Sequence, residues 1–110
     1  MAGARMRRVN ETIREILGDA IATDLKDPRI GFVTVTEVDT SPDLRSARVY
    51  VSVLGDEEER ERSLTGLRSS HGVLQGKIAA ATRMKRTPTL TFVYDESAER
   101  GDRISRLLDE

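Results

Sequence analysis

Between Arg62 and Tyr94 the chain carries Arg62, Arg68, Lys77, Arg83, Lys85 and Arg86 and no acidic residue. A run of cations without acids attracts phosphate. A helix face built for its own stability would instead mix signs as i,i+4 pairs. Acidic blocks flank the run, Asp56-Glu57-Glu58-Glu59-Arg60-Glu61 before it and Asp95, Glu96, Glu99 and Asp102 after it. The formal net charge of −1, from 18 Lys and Arg against 19 Asp and Glu, therefore hides a strongly dipolar arrangement. A basic face on a near-neutral protein binds a polyanion locally without making the whole molecule adhesive. Arg5, Arg7 and Arg8 form a second basic cluster, expected as a flexible arm that takes in residues 1–7.

Inside the acid-free run lies Ser69-Ser70-His71-Gly72. A helix restarting there would present free backbone N–H groups, a ready site for an anion. Gly72 would let a backbone approach closely, and Ser69 or Ser70 could cap the helix or touch phosphate. His71 is the sole histidine. Metal or general-base work would need partners of suitable type and spacing, and none lies nearby in sequence, so base stacking or surface packing is expected. The absence of cysteine excludes a disulfide framework, a thiolate metal site and a cysteine nucleophile. Carboxylates are numerous but gather at helix starts and in the tail. With no nucleophile–base set and no recognisable phosphate-cradling loop, the expectation is a non-enzyme without cofactor or metal.

These residues must be positioned by a small number of elements. Met6, Val9, Ile13, Ile16 and Ala20, joined by Leu17 and Ile21, form one stripe of an amphipathic helix that Asp27-Pro28 stops. Gly31 opens a β-branched strand from Phe32 to Val38, and Ser41-Pro42-Asp43 has turn chemistry. Ala47, Val49, Val51 and Val53 alternate with Arg48, Tyr50 and Ser52, so the two strands should pair as an antiparallel hairpin. Asp56 and Glu59 read as an N-cap and its capping-box partner. The helical pattern through Leu64, Leu67, Leu74, Ile78 and Ala81 contains Gly66, Gly72 and Gly76. Each disfavours a helix interior by about 1 kcal/mol relative to alanine, so two helices meeting at a kink near residues 69–72 are expected. The second is expected to run to Thr87-Pro88, which places Arg83, Lys85 and Arg86 at its end, where cations also complement the helix dipole. Leu90, Phe92 and Tyr94 form a third strand, with Phe92 and Tyr94 expected in the core. Ile104, Leu107 and Leu108 belong to a short C-terminal tail over residues 97–110.

The expected fold class is α+β, a single domain over residues 1–110 with a three-stranded sheet and helices on one face. At 110 residues it can bury roughly 65% of its unfolded surface. No apolar run reaches the length of a membrane span and no signal-peptide core is visible, so a cytoplasmic chain with no membrane association is expected.

With the elements in that order, three stretches resemble the ribosome-binding factor A family. They are Asp27-Pro28-Arg29-Ile30-Gly31-Phe32-Val33-Thr34-Val35, then Ser41-Pro42-Asp43-Leu44-Arg45-Ser46-Ala47-Arg48-Val49-Tyr50-Val51-Ser52, and Pro88-Thr89-Leu90-Thr91-Phe92-Val93-Tyr94-Asp95 leading to Arg100-Gly101-Asp102-Arg103-Ile104. The resemblance implies a type II KH-like fold, α-β-β-α-kink-α-β. In this family a small-residue–x–Gly kink replaces the usual KH loop, and here it corresponds to Ser70-His71-Gly72. The resemblance also implies a monomer that binds the immature small (30S) subunit through 16S ribosomal RNA and aids late processing, notably in the cold, with no catalytic activity of its own. Gln75 and Ala80 stand where family members commonly place basic residues, which implies fewer phosphate contacts along that helix. The RNA-binding candidates are Arg5, Arg7, Arg8, Arg68, Ser69, Ser70, His71, Gly72, Lys77, Arg83, Lys85 and Arg86. A generic single-stranded RNA module and a protein-interaction subunit remain as alternatives.

Overall fold

Alternation of Ala47, Val49, Val51 and Val53 with polar neighbours gives the molecule its central strand. A computed structural model describes residues 2–97 and orders the elements α1 (Ala2–Thr23), β1 (Val33–Thr40), β2 (Ser46–Val53), α2 (Glu57–Ser69), α3 (His71–Ala81) and β3 (Thr89–Tyr94). The sheet order is β1-β2-β3, with β2 antiparallel to β1 and parallel to β3. Val49 faces Val38 on one side and Phe92 on the other. The α2–α3 pair is the long connection that a parallel β2–β3 neighbour requires.

The inward residues of all three strands meet the helices on one face. Ile13, Leu17 and Ile21 from α1, Leu64 and Leu67 from α2, and Leu74 and Ile78 from α3 form one buried cluster with Val35, Val38, Val49, Val51, Leu90 and Phe92. Tyr94, expected in the core, is only partly buried against it, and the Arg60 guanidinium covers its ring at 3.8 Å from the centroid. In β1 a bulge between Val35 and Glu37 makes Thr36 the extra residue, which moves the inward set from Val35 to Val38 and Thr40. The hairpin turn closes through Leu44 N–H to Ser41 O at 2.9 Å, with Leu44 in the left-handed region at φ 61°. Arg29 and Arg45 brace their turns through Asp27 and Asp43.

Three expectations are corrected. Arg5, Arg7 and Arg8, expected on a flexible arm, lie within helix α1. Arg5 and Arg8, one turn apart, lie beside Val9 and Ile13, whereas Arg7 projects from a different side of the helix. Second, α3 stops at Ala81 and not at Thr87. Thr82 adopts extended angles (φ −128°, ψ 169°), while its N–H and hydroxyl both donate to Ile78 O, at 3.0 and 2.8 Å. Arg83, Lys85 and Arg86 therefore occupy the loop before β3, not a helix end. Third, the first strand begins at Val33 and continues to Thr40, since the bulge lets pairing proceed past Val38. Apart from Ser97, the expected tail lies outside the described residues.

Candidate nucleic-acid interface

The kink falls where the glycine argument placed it. Ser70, in the bridge region at φ −94° and ψ 7°, ends α2 and begins α3. Its N–H reaches Gly66 O and Leu67 O at 3.1 and 3.0 Å, closing α2, and its carbonyl accepts from Leu74 N at 3.1 Å to start α3. The two helix starts differ. Asp56 and Glu59 form the full capping box on α2, and Glu57, Glu58 and Glu59 neutralise its positive end. On α3 there is no side-chain cap and no acid in the first turn. Neither Ser69 nor Ser70 caps it, and its first turn is exposed at His71, Gly72 and Val73. His71 Nδ1 lies 2.8 Å from Arg68 O, and since a carbonyl only accepts, Nδ1 carries the proton. The ring thereby closes the end of α2 and leaves Nε2 as its second polar atom.

The glycines of this helical pair divide by role. A Cβ on Gly66 would sit 2.6 Å from Ile30 Cγ1, so packing demands glycine there. Gly72 and Gly76 have nothing within 4 Å of such a Cβ and no positive φ. They keep the outer side of α3, continued by exposed Ala79 and Ala80, smooth enough for another backbone to approach.

The candidate cations also separate. Lys77 Nζ is 3.2 Å from Asp24 Oδ2, so its charge ties α3 to the end of α1. Arg68 Nη2 donates to Phe92 O at 3.4 Å and covers part of the outer edge of β3. Arg7 Nε donates to Gly3 O at 3.4 Å within α1. Among the described residues, Arg5, Arg8, Arg83, Lys85 and Arg86 have no acidic partner. Helix α1 and the α3–β3 loop bring these two groups together: Arg5, Arg8, Val9, Thr12 and Ile13 line one cleft with Thr82 and Met84. The kink and this basic pole lie at opposite ends of α3, about 16 Å apart, joined by the smooth Gly72–Gly76–Ala80 surface.

The opposite, open face of the sheet carries Glu37 and Asp39, and Thr36 Oγ1 donates to Asp95 Oδ2 at 2.6 Å. Arg48, the cross-strand partner of Asp39, lies on the same face. At the sheet's end Phe32 and Leu54 are 80% and 73% exposed and joined by a 3.0 Å bond from Leu54 N to Phe32 O. The β-branched pattern after Gly31 concealed this pair, because it counted Phe32 as part of the strand. A residue just outside each strand end was the available signal. Among the described residues no group of His, Cys, Asp or Glu could hold a metal ion, and no helix is long and apolar enough to cross a membrane.

Known proteins place this architecture. A ribosome-binding factor A of Thermus thermophilus, known from its crystal structure, superposes with a TM-score of 0.75 at 28% identity over 84% of this chain and 97% of its own. A Thermotoga maritima protein solved by NMR, a putative ribosome binding factor A, gives 0.76 at 34% identity, covering 84% and 89%. A homology model of the Thermus thermophilus factor, fitted into a cryo-EM map of a 30S complex, gives 0.66 at 30% over 79% and 91%. The α+β, KH-like order of elements is common ground with these structures, and the profile of ribosome-binding factor A matches residues 5–108. The chain belongs to the ribosome-binding factor A family.

Proposed function

We propose that this protein is a non-enzymatic assembly factor that binds the precursor small (30S) ribosomal subunit through 16S ribosomal RNA and assists its late processing, including in the cold. The observation that carries this reading is the cleft in which Arg5 and Arg8 of α1 meet Thr82 and Met84 of the α3–β3 loop, a loop that also carries Arg83, Lys85 and Arg86, all five cations being without acidic partners among the described residues. Family membership and the related Thermus factor fitted to a 30S complex support the choice of particle. RNA docks along α3, from Ser69, Ser70, His71 and Gly72 at the kink to the basic pole, with Arg7, Arg68 and Lys77 at its margin. Counter-ion release at the free cations supplies most of the affinity, and shape supplies most of the selectivity. The protein works as a cytoplasmic monomer.

Crosslinking of the bound protein on small-subunit precursors, mapped to single nucleotides, tests this directly. Crosslinks from residues 69–72 and 83–86 to one contiguous RNA surface are expected. Crosslinks confined to ribosomal proteins, or to the open sheet face, would contradict it. A protein contact in addition to RNA is favoured by the exposed Phe32 and Leu54 beside the acidic start of α2. Glu59, Arg29 and Arg62 line the same depression, so this apolar pair offers charges of both signs to a protein surface.

A further inference from the structure

The cleft between the first half of α1 and the α3–β3 loop has features that phosphate attraction alone does not require. Its volume is 310 Å³, at the lower end of the range of about 300–1,000 Å³ for small-ligand sites. Half-buried Val9 and Met84 and buried Ile13 make its apolar part, with Thr12 and Thr82 completing the lining. Arg5 and Arg8 line it, no acid among the described residues does, and Arg83, Lys85 and Arg86 flank Met84 in the same loop. Cations on a convex surface would serve for phosphate; an apolar depression among them serves a flat, weakly hydrated ring.

We propose that this cleft receives one unstacked nucleotide of RNA, its base on the Val9–Met84 floor and its flanking phosphates at Arg5, Arg8 and the loop cations. The inference rests on the RNA-binding reading above and adds that the strand is unpaired at this point. A thioether and guanidinium planes both pack well against a base. Bases within an A-form duplex stay stacked and cannot enter. The site lies at the far end of α3 from the kink, so it constitutes a second point of engagement and fixes the direction in which a strand crosses the helix.

The test uses the full chain with two RNA probes, a single-stranded hexamer carrying a central 2-aminopurine and a blunt duplex. Met84→Ser removes the thioether floor without changing charge. It should weaken hexamer binding about tenfold more than duplex binding and abolish the change in 2-aminopurine emission. In the unmodified protein, adenosine monophosphate should shift the methyl resonances of Val9 and Met84 well beyond any shift caused by inorganic phosphate, which keeps the inference testable if the variant folds poorly. Salt-dependent binding of both probes, without selectivity for the hexamer and without those shifts, overturns the nucleotide site and leaves the RNA-binding reading standing. An acidic peptide producing the same shifts would assign the cleft to a protein partner and overturn the proposal. Failure of both RNAs to bind at low salt overturns this site and the RNA-binding reading together.

Discussion

Lys77 and Arg86 carry the same charge but are not equally available: one is held by Asp24 at 3.2 Å, while the other has no acidic partner among the described residues. Sequence alone placed both in one acid-free run, since Asp24 is distant in the chain and meets Lys77 only through the packing of α1 on α3. The glycines pose the same problem. Gly76→Ala should raise stability by about 0.5–1 kcal/mol, because a helical Cβ there meets open space. Gly66→Ala should lower it by about 1–3 kcal/mol through collision with Ile30. Chemical denaturation of the two variants checks the opposite signs. Asp27 gives a pH test. Hydrogen bonds from the Arg29 side chain and backbone hold its carboxyl down from the ordinary 3.8 to about 2. A depressed folded-state value means that its stabilising contribution is complete above the unfolded value and disappears as pH falls from 3.8 towards 2. Asp27→Asn should therefore flatten the pH dependence of Tm in that window while lowering Tm at neutral pH.

At the scale of elements, what was legible depended on how local its cause was. The capping box of Asp56 and Glu59, the Ser70 kink and the alternation of β2 involve neighbours a few residues apart, and each stands where sequence reasoning placed it. The bulge at Thr36 involves two strands, and the early end of α3 turns on the conformation of one threonine against Ile78 O. Neither leaves a periodic mark, which is why Arg83, Lys85 and Arg86 were assigned to a helix end. The junction between Gly31 and α2 belongs to this class as well. Ser63, buried at 1% exposure, accepts Gly31 N–H at 3.1 Å and so ties the start of the hairpin to the middle of α2. Ser63→Ala leaves that amide unsatisfied and should cost about 1–3 kcal/mol. Its salt dependence of RNA binding should match the parent's, because no cation moves. Thermal melting and filter binding on the same preparation measure both.

At the scale of the whole molecule, the hidden dipole of the sequence becomes two poles. One carries Arg5 and Arg8 of α1 and the cations of the α3–β3 loop, which have no acidic partner among the described residues; the other carries the acids of α2's first turn near Phe32 and Leu54, with Arg29 and Arg62 beside them. On the proposed RNA-binding reading, such a body would turn its basic end toward a particle rich in RNA before any contact forms. The cationic pole is built by α1 and the α3–β3 loop, apart from the open face of the sheet. Five free cations engaging five phosphates give a slope of log affinity against log salt of about −3 to −4. The most direct measurement is therefore co-sedimentation with small-subunit precursors across a salt series, for the parent and for the triple variant Arg83→Glu, Lys85→Glu, Arg86→Glu. The predicted result is that slope for the parent and no detectable binding for the variant, with Tm almost unchanged. A variant that folds, and pellets with the particle as well as the parent does, would contradict the account.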